Sequence, residues 1–234
     1  IGLWEVLVPV LEIPRFVLPT PSQILGEIFN VPATLARHSL VTLYEILLGF
    51  LIGVGVGVGL AISIVYSKVL EETIYPLVIF TQVIPKIAIA PLLIIWLGYG
   101  APPKIVIVFL ICFFPMVIDT AAGLKSVEED MLHLIRALGA TPWQIFTKIR
   151  LPNAMPYIFN GMKISVTLAV VGAIVGEFVG ASEGLGYLIL VGSANLETNL
   201  LFAAVIVLSL LGIVLFSLVR VLEKICIPWK PPEE

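Results

Sequence analysis

Long runs of apolar residues without a charge dominate the chain. Residues 46–67 and 198–219 are each 22 residues long and contain no Asp, Glu, Lys or Arg. A membrane-spanning helix needs about 20 apolar residues, so each run is long enough to cross a bilayer. This pattern predicts an all-α membrane protein that crosses the lipid several times.

Apolar runs between charges and turn signals predict about six spans. They cover, in order, residues 1–11, 39–66, 72–98, 103–122, 153–178 and 199–222. The third span contains Pro76, Pro85 and Pro91 and is expected to be interrupted. Between the first and second spans, Ser22 is expected to cap a short amphipathic helix. Residues 1–234 are interpreted as one transmembrane domain whose first span is expected to be truncated at its start.

Positive residues are unevenly divided between the two sides of these spans. The richer side carries Lys68, Lys125, Arg136, Lys148, Arg150, Arg220, Lys224 and Lys230. The other side carries Arg15, Arg37 and Lys104. Cytoplasmic loops are enriched in Lys and Arg, so the richer side and both termini are expected to face the cytoplasm. The protein is expected in the inner membrane.

Composition supports a membrane location and argues against several other classes of protein. Charged residues make up 12% of the chain, and its mean hydropathy is +1.11. A net charge of −3 without a basic stripe argues against a nucleic-acid partner. Two cysteines and two histidines are scattered singly, so neither a metal site nor a disulfide is expected.

Glycines recur at helical spacing in the second span. Gly49, Gly53 and Gly57 are four residues apart, and Gly55 and Gly59 form a second pair. Small residues at this spacing let helices approach closely in lipid. A nucleotide-binding loop would need a soluble strand-to-helix turn, so close helix packing is the favoured interpretation.

A polar, proline-punctuated segment, ALGATPWQIFTKIRLPNAMP, lies between the fourth and fifth spans. Ser126 and Glu129 fit a capping box for a helix that ends at Leu138. Gly139 suits the left-handed position after that helix. Thr141-Pro-Trp-Gln144 then fits a second capping box. Two short helices joined by a glycine turn are therefore predicted on the cytoplasmic side.

The second of these helices is expected to have two faces and to stop at Pro152. Trp143, Phe146 and Ile149 fall on one side at three-residue spacing, while Lys148 falls on the other. Such an apolar stripe suits a docking partner, the chain's own spans or the lipid interface. Spacing alone leaves these alternatives open.

The same segment resembles the signature of permeases from binding-protein-dependent ATP-binding-cassette importers. Gly139 is followed after nine residues by Ile149-Arg150-Leu151-Pro152, as in the family pattern, whereas the family's Glu-Ala-Ala positions hold His133, Leu134 and Ile135. Segments such as LPTPSQI, IAPLLIIWLGYG and GASEGLGYLI are similar to the nitrate/sulfonate/taurine group. TQVIPKIAIAPLL and VTLAVVGAIVGEFVGA resemble its hydroxymethylpyrimidine and riboflavin branch.

This resemblance implies a type I importer (MetI-like) permease fold with a cytoplasmic coupling module at about 123–152. The residues implied to couple the permease to its ATPase are Gly139, Ala140, Thr141, Pro142, Trp143, Phe146, Ile149, Leu151 and Pro152. The chain has no Walker-type motif, so ATP and Mg are expected in a separate cytoplasmic ATPase, with no cofactor and no enzyme activity in this chain. Other implied partners are an extracytoplasmic solute-binding protein and a second permease chain, identical or related. The implied solutes are thiamine-precursor pyrimidines, riboflavin, sulfonates such as taurine, or nitrate-like ions.

Polar groups within the spans are candidates for the solute path. Gln82, Pro85 and Lys86 interrupt the third span, although Lys86 also suits snorkelling or a structural ion pair. Lys163 is expected to face inward or form an ion pair, and Glu177 to line an outer vestibule or mark the interface.

Two carboxylates and the last loop are not assigned to the solute path. Glu45 and Asp119 are interpreted as interfacial because they lie near the ends of predicted spans. Residues 180–200 are expected to re-enter the membrane or lie flat on its outer side, where they would touch a binding protein.

Two other functions compete with the importer. An ion- or proton-coupled secondary transporter would work without an ATPase and would show an inverted internal repeat, of which no convincing copy is seen. Gly180-Ala-Ser182-Glu-Gly184 matches the nucleophile motif of a hydrolase, but that motif needs a strand-turn-helix setting and a nearby His. The motif is interpreted as a coincidence in a loop.

Overall fold

The computed structural model describes residues 2–14 and 16–229, and all regular structure in this part of the chain is helical. The α-helices are α1 (Gly2–Val10), α2 (Pro21–Asn30), α3 (Pro32–Tyr66), α4 (Lys68–Thr81), α5 (Ala90–Leu97), α6 (Ala101–Lys125), α7 (Glu129–Ala137), α8 (Pro142–Ile145), α9 (Leu151–Gly180), α10 (Leu185–Ala194) and α11 (Thr198–Cys226). A 3₁₀ turn, Lys86–Ile89, precedes α5, and a π-helical turn, Phe146–Arg150, joins α8 to α9. The predicted all-α class is confirmed. Arg15 and Lys230, used above for orientation, lie outside the described residues.

Within the residues that the structure describes, four helices are long and apolar enough to cross a membrane. They are α3, α6, α11 and the continuous helix Pro142–Gly180, which contains α8, the π-helical turn and α9. Helix α4 together with the segment Lys86–Leu97 makes a fifth span if this broken pair is counted as one. The first predicted span corresponds to α1, whose nine residues are too few to cross a bilayer.

Two proline effects differ from the sequence prediction: the start of α3 and the number of prolines that break the third span. Helix α3 begins at Pro32 rather than at residue 39, because proline is favoured in the first helical turn. Pro76 lies inside α4 without ending it, and Pro91 lies in the first turn of α5. Only Pro85 falls in the non-helical break that was predicted for this span.

The cap of α2 is Thr20 rather than the predicted Ser22. The Thr20 side chain accepts a hydrogen bond from the Gln23 N–H, and the Gln23 side chain accepts one from the Thr20 N–H, which completes a capping box. Ser22 is instead bound to α1, since its hydroxyl donates to the Glu5 carboxylate at 2.6 Å. The prediction placed the cap two residues too late.

The chain divides into two compact units, and α3, α6, α9 and α11 each contribute to both. Unit 1 contains Ile1–Leu48, Ile87–Val108 and Val170–Val214; unit 2 contains Gly49–Lys86, Phe109–Ala169 and Leu215–Glu234. The core of unit 1 joins α2, α3, α10 and α11. Its buried residues are Ile24, Leu35, Leu185, Leu188, Ala203, Ala204 and Leu208.

In unit 2 the predicted glycine packing brings α3 close to α6. A Cβ atom added at Gly53 would lie 2.9 Å from the Cβ of Cys112, and one at Gly57 would lie 2.7 Å from the Cβ of Met116. Nothing lies within 4 Å of the corresponding positions at Gly55 and Gly59. The close-packing interpretation therefore holds for the pair Gly53 and Gly57, while the second pair faces away from α6.

Candidate functional site

The turn after α7 has the backbone that the sequence predicted. Gly139 has a φ of +83°, in the left-handed region that favours glycine. The N–H of Gly139 donates to the Arg136 carbonyl at 3.0 Å, and the N–H of Ala140 donates to the Ile135 carbonyl at 3.2 Å. These two bonds form a Schellman motif, so the helix ends in a fixed geometry and the chain reverses immediately.

The second capping box is also present. The Thr141 side chain accepts from the N–H of Gln144 at 3.3 Å, while the Gln144 side chain accepts from the N–H of Thr141 at 2.8 Å. Pro142 occupies the start of α8, where its missing N–H costs no helical hydrogen bond. The start of the second short helix is therefore defined by three sequence signals, Thr141, Pro142 and Gln144.

The first capping box is not formed. Helix α7 begins at Glu129, with Glu128 at the cap and no side-chain hydrogen bond there. Ser126 instead donates to the Gly123 carbonyl at 2.8 Å and accepts from the Asn153 side chain at 2.7 Å. Its hydroxyl thus closes the end of α6 and ties it to the start of α9.

Pro152 does not stop the second helix, contrary to the prediction. After α8 the chain makes a π-helical turn and continues without a break into α9. The N–H of Leu151 donates to the Phe146 carbonyl five residues earlier. A π turn is wider than an α turn, and this extra room before Pro152 accommodates the ring that would otherwise clash with the preceding turn.

The predicted coupling residues divide by exposure into two groups. Those on the surface are Gly139, Thr141, Pro142 and Trp143; those partly buried are Ala140, Phe146, Ile149, Leu151 and Pro152. The three members of the predicted apolar stripe therefore do not share one environment. Trp143 is 71% exposed, whereas Ile149 packs inside the module with the buried Ile145.

Ile145 is a structural residue that the sequence analysis missed. Its side chain is buried together with Val127 and Leu132, so the two short helices have a small core of their own. Phe146 packs on α3, where its ring centroid lies 5.8 Å from that of Tyr66. An apolar depression of about 260 Å³ is lined by Ile62, Tyr66, Pro142, Trp143 and Phe146. Residues 126–152, which make up most of the predicted coupling module and are given that name below, thus form a packed unit with one exposed aromatic side chain.

The candidates for the solute path lie in two kinds of surroundings. Gln82, Pro85 and Lys86 stand at the break after α4, with Gln82 and Pro85 exposed. The Lys86 ammonium donates to the Gln82 carbonyl at 3.2 Å and lies 4.5 Å from the centre of the Phe114 ring. Lys163, in contrast, forms an ion pair with Glu223 at 2.8 Å, which fits the ion-paired alternative.

Glu177 is buried and caps α10 from outside that helix. One of its carboxyl oxygens accepts from the Thr42 hydroxyl at 2.6 Å, and the other accepts from the N–H of Gly186. Thr42 in turn accepts from the N–H of Leu185 at 2.8 Å. Side chains of α3 and α9 therefore bind the first amides of α10.

Glu45 was predicted to lie at the membrane interface; the structure shows that its side chain does not reach the protein surface. Its side chain is fully buried and forms an ion pair with Lys104, which is also buried. The physical reason is the early start of α3, which places Glu45 well inside this helix. The other carboxylate, Asp119, is half-buried and accepts from the Asn160 side chain at 3.3 Å.

The hydrolase motif has no catalytic geometry. Gly180 ends α9 and Ser182 lies exposed in the turn before α10, and no strand precedes it within residues 16–229. The nearby His38 is engaged elsewhere, since its Nδ1 accepts from the N–H of Gly184 at 2.9 Å. No group of three or more metal-binding side chains occurs among the described residues either.

A family comparison identifies this arrangement. Residues 51–225 match the model for the binding-protein-dependent transport system inner membrane component. The chain belongs to this family. It is a permease subunit of an ATP-binding-cassette importer, in the nitrate/sulfonate/taurine group that the sequence resemblance indicated.

Relatives of the permease cover almost its whole length. It is 36% identical to a probable ABC transporter permease protein of Haemophilus influenzae, over 92% of this chain and 87% of the relative. It is 35% identical to the formylaminopyrimidine transport permease protein ThiX of Halalkalibacterium halodurans, over 97% of this chain and 91% of the relative. The riboflavin transport system permease protein RibX of Chloroflexus aurantiacus is 36% identical, over 97% of this chain and 85% of the relative.

The permease also shares its fold with a solved structure. A chain of the MetNI methionine ABC transporter in an inward-facing conformation aligns with a TM-score of 0.60. The alignment covers 84% of the permease and 97% of that chain, at 24% sequence identity. The MetI-like fold prediction is confirmed.

Proposed function

We propose that the permease is driven by a separate cytoplasmic ATPase, which binds ATP and Mg and grips the coupling module. The observation that carries this proposal is the module itself: a self-packed helix pair with fixed ends and an exposed Trp143. Tryptophans that stay exposed on a rigid element are suited to anchor a protein interface. Closure of the ATPase would then move the module and the spans that follow it.

The module faces the cytoplasm in this proposal, together with both termini. Basic residues on and beside it support this side, because Lys125, Arg136, Lys148 and Arg150 cluster within 26 residues of sequence. A second permease chain, identical or related, completes the path, and an extracytoplasmic binding protein delivers the solute. Residues 180–200 are the proposed contact for that binding protein.

The proposed solute is a nitrogen heterocycle such as a substituted pyrimidine or a flavin. Two relatives at 35–36% identity carry names of this class, whereas a taurine permease protein of Escherichia coli is 28% identical. We assign Gln82, Pro85 and Lys86 to the solute path, because Pro85 lies in the break of a span and Gln82 and Lys86 place polar side chains at that break. Lys163 and Glu177 bind other groups of the same chain, Lys163 in an ion pair and Glu177 in hydrogen bonds. We therefore assign both a structural role rather than a place in the solute path.

The coupling role is tested by co-purification of the ATPase with tagged permease. Trp143→Ala should reduce the amount of bound ATPase at least several-fold, since it removes the exposed anchor. Gly139→Val should have a similar effect because a β-branched residue does not fit the left-handed turn. Trp96→Ala is the matched control: Trp96 is also exposed, at 69%, but lies outside the module. Equal ATPase recovery from all three variants would refute the role of the module.

The driving force and the solute need separate measurements. Uptake into liposomes should require the ATPase and ATP, and full uptake by the permease alone would instead indicate a secondary transporter. With the assembled complex and its binding protein, an aminopyrimidine or riboflavin should stimulate ATP hydrolysis. Stimulation by taurine alone would overturn the proposed solute class while leaving the importer mechanism intact.

A further inference from the structure

A cavity in unit 2 lies between the end of α3 and the coupling module. It has a volume of about 330 Å³, and its lining includes Tyr66 from α3, Arg136 from the last turn of α7 and Arg150 from the π-helical turn. The other lining residues, among them Ile145, are apolar, and no acidic side chain of the described residues contributes. The cavity is therefore positively charged.

One of the two arginines is held in a fixed orientation. The Arg150 guanidinium lies over the Tyr66 ring, 5.6 Å from its centre, and stacking of this kind orients the planar set of N–H donors. The Nε of Arg150 is buried, and no group of the described chain accepts a hydrogen bond from it. A buried donor without an acceptor is unfavourable, so an acceptor from outside the chain would stabilise this side chain.

The positive charge of the cavity is not compensated by any carboxylate that the structure describes. Unit 2 contains other ion pairs, such as Lys125 with Glu71 at 2.6 Å, but Arg136 and Arg150 form none within the described residues. Guanidinium groups bind phosphate through paired N–H···O hydrogen bonds, and two of them beside one cavity suit one phosphate group. The charge of the cavity thus selects an anion.

The cavity adjoins the apolar depression described above. Tyr66 and Pro142 line both, and the depression adds Ile62, Trp143 and Phe146. Ile62 precedes Tyr66 by one turn of α3, a helix long enough to cross the membrane. The apolar part therefore lies further into this span than the charged part does. A positive cavity with an apolar groove on its membrane side matches an amphiphile that has an anionic head and a hydrocarbon tail.

We infer that the cavity and the depression together bind one anionic phospholipid, such as phosphatidylglycerol. Arg136 and Arg150 bind its phosphate, and the depression takes the first part of an acyl chain. Basic pockets between membrane-spanning helices are suited to lipid head groups. A lipid bound here joins the end of α3 to the coupling module. This inference goes beyond the proposed function, because no step of it needs the solute or the ATPase.

Native mass spectrometry of the purified full-length permease, titrated in mild detergent with phosphatidylglycerol or phosphatidylcholine, tests the inference. One phosphatidylglycerol should be retained at concentrations at which phosphatidylcholine is lost. Arg136→Gln and Arg150→Gln should each weaken phosphatidylglycerol binding about five-fold, the effect of one basic residue near an anionic lipid, and the double variant should lose the preference. Lys148→Gln is the matched control, since Lys148 is an exposed cation of the same module outside this cavity, and it should bind phosphatidylglycerol like the wild type.

A competition experiment distinguishes a lipid from a free anion. Inorganic phosphate and the deacylated head group glycerophosphoglycerol carry the charge without the hydrocarbon tail. Neither should displace phosphatidylglycerol at equal concentration, because neither fills the apolar depression. Displacement by inorganic phosphate at equal concentration would show a site for free anions and would overturn the assignment to a lipid.

Two other results would also overturn the inference. One is equal retention of phosphatidylglycerol and phosphatidylcholine by the wild type. The other is unchanged phosphatidylglycerol binding by the double variant; reduced ATPase recovery in that case would assign the arginines to an acidic side chain of the ATPase. Loss of the lipid in the double variant supports the inference whatever the ATPase recovery, which Trp143→Ala tests separately. If the double variant does not fold, Arg136→Gln still decides, because Arg136 is exposed.

Discussion

The contact between α3 and α6 gives the most quantitative prediction. Gly57→Ala adds a Cβ atom 2.7 Å from the Cβ of Met116 and 3.2 Å from the Phe113 carbonyl oxygen. Carbon atoms in good contact are about 3.5–4.0 Å apart, so the added methyl group forces the two helices apart or distorts them. Gly55→Ala is a matched control in the same helix, because nothing lies within 4 Å of its added Cβ.

The pairing of the two variants isolates the contact from helix propensity. Alanine is favoured over glycine in a helix interior by about 0.5–1 kcal/mol, and this gain is the same at both positions. Overpacking a close contact costs about 1–3 kcal/mol. We therefore expect Gly55→Ala to be slightly stabilising and Gly57→Ala to be less stable than Gly55→Ala by about 1–3 kcal/mol.

Reversible unfolding of the purified permease in mixed detergent micelles, followed by circular dichroism, measures this difference. The free energies of unfolding of the two variants are compared under identical conditions. Equal stabilities would refute the assignment of Gly57 to a close helix contact. Greater loss at Gly55 would show that the face of α3 that packs on α6 has been identified incorrectly.

Two further predictions concern charge pairing and capping. Lys163→Met should lower the free energy of unfolding by on the order of 3 kcal/mol, because it removes the ammonium that pairs with Glu223. The double variant Lys163→Met/Glu223→Gln should recover part of this loss. A double variant that is no more stable than Lys163→Met would contradict the pairing. Thr141→Ala should cost about 1 kcal/mol of local stability at the start of α8, seen as faster amide hydrogen exchange at Gln144. Thr147→Ala is its control, since that hydroxyl donates only to the Trp143 carbonyl, and equal exchange in both variants would contradict the capping role.

Local sequence signals predicted the coupling module better than any other part of the molecule. Gly139, Thr141 and Gln144 act through hydrogen bonds to a residue three positions away, so their roles can be read from a short stretch. Ser126 shows the limit of this approach. Its hydroxyl is bound by Asn153, 27 residues away, and no local pattern reports such a competing partner.

The burial of Glu45 and its pairing with Lys104 were missed because one helix boundary was placed too late. A helix starting at residue 39 puts Glu45 about 9 Å from its end, whereas the observed start at Pro32 puts it about 20 Å inside. Pro32 itself was the available signal, because proline is favoured at a helix start. The partner, Lys104, lies 59 positions further along the chain, so their pairing depends on how α3 packs against α6.

The π-helical turn before Leu151 determines the direction in which the module points. Such a turn contains one residue more than an α-helical turn would need, and each residue of an α-helix advances the chain by about 100° around the axis. Winding the same residues as a regular α-helix, without the π turn, would swing Trp143 by about this angle relative to Leu151, whereas deleting one residue between Phe146 and Arg150 would leave its direction almost unchanged. The winding of this turn thus determines the direction in which Trp143 points. Two chains with the same side chains in the module but a different winding here would present Trp143 to different partners.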